Sequence, residues 1–343
     1  NPTGPDYLID QLTADGVYAK IIGDLDAALT GSGLPKVVKS AELGRFTRAA
    51  AQMLRANVVM YQQDASRYAT VLTDMREIIG SGLYSLRSDF AGLWTDSGEW
   101  GTESIFEINY TDSPSSRTWE NPTKAGGTVF PTLIGINGYS GPEWDTGGYG
   151  FEPVEEALYN AYEGDDTRRD ATILNFAKYR QQHPEATYTP RYDDTGYFNR
   201  KYLGRADGHD KYTGNAPEMN FRNNYRVWRY AETLLIASEL IVRTNGDRDE
   251  ADDYLNQVRA RAFGMKPGDA AFAAKRRTAT LDNLLLENRL EFALEGHRFW
   301  DLVRYGKAEE VLGSRGYTDA KKHLPIPQSE IDQAHGTLKQ NPY

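Results

Sequence analysis

The chain has 343 residues, a formal net charge of -10 and no cysteine. Nucleic-acid binding is excluded, because phosphate contacts need a basic face and no Lys/Arg run occurs; a polybasic membrane patch is excluded for the same reason. Disulfides, thiolate chemistry and cysteine-bound zinc are excluded too, and no apolar run reaches the length of a spanning helix.

The opening, NPTGPDYLID, reads as an internal segment. Tyr18, Ile21, Ile22, Leu25 and Leu29 then recur at helical spacing, and Gly31-Ser32-Gly33 with Pro35 closes that helix. A second, Ala-rich helix is predicted over Ala41 to Tyr61, and Asp64 caps a third that runs through Tyr68, Leu72, Met75 and Ile79 to Gly80. Helices joined by short turns predict helical hairpins over residues 1–84.

From Ser85 to Asn223 helical periodicity breaks, and Gly, Pro, Asp and Tyr become frequent. Ser104 to Tyr110 and Ala171 to Ala177 read as short strands and Glu152 to Ala161 as a helix. The rest is long loop, which in an aromatic-rich segment points to function rather than disorder. Four of the six tryptophans lie here. Flat aromatic faces pack on the apolar faces of sugar rings, and neighbouring polar groups bond the hydroxyls. The candidate ligand residues are therefore Trp94, Trp100, Trp119, Tyr139, Trp144, Asp145 and Tyr149. The competing reading is that these rings anchor the loops to the helices.

Helices resume at about Asn224 and occupy 224–343. Tyr230, Leu234, Leu235, Ala237 and Ile241 line one face, Asn245-Gly246-Asp247 turns the chain, and Asp249 to Phe263 returns. The turn has oxygen ligands at alternate positions, but Glu250 stands where a calcium loop needs Gly and the closing Glu is missing, so helix N-cap is the better account. Lys266 to Arg277 links to a helix with Leu286, Leu290 and Leu294 on one face. Beside them Glu287, Glu291 and Glu295 repeat at the same spacing, which suits an ion-pair network better than a catalytic cluster. Gly296 bends the chain into a further helix. Trp228 and Trp300 fall in helical, apolar patterns and read as packing residues. No paired histidine spacing, nucleophile elbow or phosphate loop occurs, so neither metal nor cofactor is expected. A glycosidase pair leaves little trace in sequence, and Asp96, Glu99, Glu143 and Asp145 are its candidates.

Three ordered blocks resemble the SusD/RagB family: Tyr225 to Ile241 with Leu255 to Ala262; Glu287-Asn288-Arg289 through Glu295-Gly296 to Arg304-Tyr305-Gly306; and His323 to Asp332 followed by Leu338 to Pro342. The resemblance implies a mostly α fold: a tetratricopeptide-like helical-hairpin scaffold with an irregular loop-rich lobe containing a few short strands. It also implies a lipid-anchored protein at the outer face of the outer membrane. Such a protein captures an oligosaccharide or other nutrient, without catalysis, for a TonB-dependent (SusC-like) transporter. Family members have a longer N-terminus with an export signal and a lipidated Cys, so an N-terminally short form is expected here. A glycoside hydrolase or a peptide-binding helical scaffold are the alternatives.

Overall fold

The computed structural model describes residues 10–31, 33–113, 117–209 and 216–342; the opening segment 1–9 and Ser32 of the first turn lie outside them. Helices α1 (Ala14–Leu29), α2 (Arg48–Gln62) and α3 (Tyr68–Gly80) form the first scaffold. Thr13, whose hydroxyl accepts from the Gly16 amide, caps α1, and Thr47 caps α2 through the Ala50 amide. The second helix starts later than Ala41. Gly44 has φ +99°, a conformation open to glycine and closed to a continuing helix. Asp64 caps a single 3₁₀ turn that leads into α3.

The middle of the chain holds short elements: β1 (Ser104–Ile108), α4 (Phe130–Ile134), α5 (Glu156–Tyr159), α6 (Arg168–Thr172), β2 (Ile173–Asn175), α7 (Phe176–Gln182) and β3 (Tyr197–Asn199). The helix expected over Glu152 to Ala161 is only the single turn α5. The strand expected over Ala171 to Ala177 shrinks to β2, because Asn175 turns its side chain to the Lys178 amide and starts α7. An antiparallel ladder pairs β2 with β3, Leu174 opposite Phe198.

After these come β4 (Tyr225–Arg229), α8 (Tyr230–Arg243), α9 (Arg248–Ala262), α10 (Leu281–Glu291), α11 (Arg298–Arg304), α12 (Ala308–Leu312) and α13 (Gln328–Gln333). Tyr225 to Arg229, read as helical, is instead a strand. It pairs antiparallel with β1, placing Phe106 opposite Trp228 and Glu107 opposite Arg226. Asp247 accepts from the Asp249 and Glu250 amides, which makes that turn an N-cap. Helix α10 ends at Glu291: Leu294 (φ +66°) and Gly296 (φ +85°) turn the chain over. The leucine stripe still packs, Leu290 fully buried and Leu286 and Leu294 half-buried, against Val154 and Tyr162.

The main core joins α2, α3, α8 and α9 through Met53, Val59, Val71, Met75, Leu234, Ile241, Leu255 and Val258. A second core lies under the loops, around Ile136, Tyr139, Trp144, Leu174, Phe176 and Phe198. Helical hairpins thus carry a loop-rich lobe with its own apolar interior.

Candidate functional site

The repeated glutamates lie at the junction of scaffold and lobe. Glu287 and Glu291 are fully buried and Glu295 nearly so. Arg168, itself fully buried, donates to Glu287 (2.7 Å), Glu291 (3.0 Å) and Asp166 (2.7 Å). Arg229 bonds Glu103 (2.6 Å), Glu291 (2.9 Å) and Glu295 (2.8 Å), while Lys201 bonds Glu295 (2.6 Å). Arg259 reaches Glu287, and Arg261 reaches Glu103 and Glu291. Five carboxylates thereby face five cations. Burial pushes Glu291 up, but Arg261, Arg229 and Arg168 overcome it and hold the carboxyl well below the usual range. Burial of Glu295 is likewise outweighed by Arg229 and Lys201. Burial draws Lys201 down to about 8 against the pull of Glu295. Carboxylates locked in this way are committed to holding the lobe on the scaffold.

Three of the seven candidate ligand residues are interior. Trp94 is 3% exposed, with Phe90 and Tyr202 at its edges and the Lys201 ammonium 4.6 Å from its ring centroid. Trp144 is 1% exposed between the guanidinium groups of Arg200 and Arg205. Tyr139 is buried, and its hydroxyl donates to the Pro142 carbonyl. These three rings are corrected to loop anchors, since no face remains for a ligand to stack on. Asp145 is tied down as well, its Oδ1 3.1 Å from His209 Nε2 and its Oδ2 accepting from the Gly147 amide. Trp100 is half-buried; its indole N–H donates to Asn109 and its ring meets Phe106 edge-on.

Trp119 and Tyr149 are different. Their rings lie nearly parallel, 13° apart with centroids at 6.3 Å, and Tyr149 meets Phe151 edge-on at 6.0 Å. Trp119 is 48% and Phe151 51% exposed. The three rings make an aromatic ribbon on the surface of the lobe, built from segments distant in sequence. Asn220 holds the Trp119 loop by accepting from the Arg117 amide and donating to its carbonyl. The Trp119 indole N–H donates to Glu218 at 2.9 Å. The strip 149–151 docks on α4, the Tyr149 amide donating to Thr132 and the Phe151 amide to Leu133. Gly148 permits this approach: a Cβ there would fall 2.2 Å from the Gly135 carbonyl carbon. The Arg191 guanidinium lies 5.4 Å over Phe151 and donates to the Tyr149 carbonyl.

Beside the ribbon, Glu152 follows Phe151 into a cavity of ≈ 400 Å³ with Tyr110, Phe130, Tyr202 and Tyr225 in its wall. Phe151, Arg191 and Glu218 were absent from the sequence expectation. Only Phe151 left a local signal, being next-but-one to Tyr149 among glycines.

The model of the SusD family matches residues 102–323 of this chain. SusD-like protein P25 of Formosa agariphila is 25% identical over 337 residues, covering 92% of this chain and 62% of the relative. The structure of surface glycan-binding protein A from Bacteroides thetaiotaomicron in complex with laminarihexaose is similar with a TM-score of 0.88 and 43% identity, over 97% of this chain and 72% of that one. A laminarin-binding SusD-like protein is similar with a TM-score of 0.86 and 32% identity, over 100% and 72% respectively. The chain spans 54% to 66% of the length of the curated relatives it matches.

Proposed function

The chain belongs to the SusD family, and from that premise we propose that it captures a laminarin-type oligosaccharide at the cell surface for a TonB-dependent, SusC-like outer-membrane transporter, without cleaving it. The observation that carries this reading is the ribbon of Trp119, Tyr149 and Phe151, coplanar in part, half-exposed and braced from beneath by backbone hydrogen bonds. Rigid rings present an apolar face at little entropic cost, which suits the apolar faces of a glucan chain. Arg191 and Glu218 at the margin supply donors and acceptors for its hydroxyls. The names of the two relatives above, laminarihexaose complex and laminarin binding, support the ligand class.

An exposed ribbon gives moderate affinity and rapid release, as handing a ligand onward requires. The helical scaffold is the face we assign to the transporter, and a lipid anchor at the outer leaflet is the attachment proposed for the full-length form. Catalysis is not proposed. Asp96 is bonded to Arg222 at 2.7 Å, Glu99 accepts the Asn224 amide at 2.7 Å, and Asp145 is held by His209.

Calorimetric titration with laminarihexaose, followed by chromatography of the recovered sugar, tests this reading. Saturable binding of intact hexaose that is weakened in Tyr149→Ala is the expected result. Shorter products would replace it with hydrolysis, and undiminished affinity in Tyr149→Ala would move the site away from the ribbon.

A further inference from the structure

A separate cavity of ≈ 240 Å³ opens between α2, β4, α8 and the turn from α10 into α11. Its rim is Tyr61 and Trp300, whose rings meet edge-on at 5.6 Å, and Trp300 is 53% exposed. Trp228 forms an inner wall and the His297 ring, stacked on Phe292, closes one side. Glu232 lines the interior. It is only 5% exposed, yet its carboxylate is half satisfied. Asn57 donates to Oε1 at 3.1 Å, whereas Oε2 has no hydrogen-bond partner among the described residues.

An orphaned carboxylate oxygen costs free energy in proportion to its burial. Oε2 is itself covered, and its persistence in a residue that lines a cavity points to an absent donor reached by a small turn of the side chain. Of the neighbouring cationic groups, His297 favours the ionised form of Glu232 through space but makes no hydrogen bond to it among the described residues, and two arginines are committed elsewhere. Arg304 is bound by Glu239 and Asp301, and Arg229 by Glu103, Glu291 and Glu295. A neutral hydroxyl would supply a hydrogen bond alone. An ammonium supplies the bond and a charge that offsets the cost of ionising buried Glu232, and it gains further from the faces of Trp228, Trp300 and Tyr61.

We propose that this cavity is a second binding site, independent of the aromatic ribbon, that takes the primary ammonium group of a small ligand such as an amino sugar. Its volume has room for one sugar ring, and the exposed rim lets the rest of a chain continue outward.

The test titrates the full chain with glucosamine, butylamine and glucose by ligand-observed NMR. Glucosamine and butylamine are expected to bind and glucose not; binding by glucosamine alone would assign the ammonium to a sugar, and binding by butylamine alone to an amine without one. Glu232→Gln keeps the Asn57 bond and removes the charge, and it should weaken the ammonium ligand by about ten- to hundredfold. Its affinity for laminarihexaose should be unchanged, which separates this site from the ribbon. Equal binding of glucose and glucosamine, or no binding of either amine, overturns the proposal. So does wild-type affinity in Glu232→Gln. Should that variant melt early, Trp300→Ala at the exposed rim decides: reduced ammonium binding supports the site, and unchanged binding sinks it.

Discussion

The charged junction and the aromatic ribbon show how one chain uses conspicuous residues in opposite ways. At the junction, Glu287, Glu291 and Glu295 are drawn fully inside and neutralised by Arg168, Arg229, Arg259, Arg261 and Lys201. At the ribbon, Trp119 and Phe151 are held half in water although either ring would add to a core. Charges are buried where they clamp scaffold to lobe, and apolar rings are exposed where a ligand face is wanted. Residues whose type suggests chemistry therefore serve architecture here, while two large apolar rings stay at the surface, where we propose a ligand face.

Substitution at the junction should have the largest effect. Glu291→Ala leaves Arg168, Arg229 and Arg261 without a shared counter-charge, and a loss of about 3–5 kcal/mol of stability is expected in urea unfolding. A variant within 1 kcal/mol of wild type, by the same scale, would show the network to be dispensable. Trp144→Ala comes next. It empties the core of the lobe and should cost about 3–5 kcal/mol, with lost glycan binding following from unfolding rather than from a missing contact. A stable Trp144→Ala protein with weak binding would return that ring to the ligand site.

Acid separates the two regions further. Glu291, Glu295 and Glu239 have folded pKa values below the ordinary glutamate value: burial raises each, and the adjacent arginines, with Lys201 at Glu295, more than reverse it. Their stabilisation is whole above about pH 4.3 and is lost as pH falls through the folded values. Asp74 and Glu232, raised by burial, act in the opposite sense. The urea midpoint should therefore drop below about pH 4, and Glu291→Gln should flatten that slope. The smallest structural effect belongs to the ribbon. Trp119→Ala should leave stability within about 0.5 kcal/mol while costing about 2 kcal/mol of laminarihexaose affinity by calorimetry. A large shift in melting temperature would make Trp119 an anchor like Trp94.

Much of the scaffold was legible because its signals are local. Helical spacing, the caps Asp64 and Asp247, and the bend at Gly296 all act within a turn or two, whereas the caps Thr13 and Thr47 came only from the structure. The strand β4 was missed because Tyr225 to Arg229 runs straight into a strongly helical segment. Its conformation depends on β1, more than a hundred residues earlier. At the site, Trp119 and Tyr149 were named in company with Trp94, Tyr139 and Trp144, and residue type alone did not sort them. Trp300 was read as packing and stands exposed, since its helix turns that face toward an open cavity.

By itself, then, the sequence determined that the main scaffold segments are helical, and that Glu287, Glu291 and Glu295 would seek cations, for these depend on neighbours three or four positions away. Only the tertiary structure decided that the cations include Arg168, 123 residues from Glu291, and that Trp119 faces water while Trp144 does not. Exposure is the sum of everything the rest of the chain places over a ring, and no short window of residues contains it.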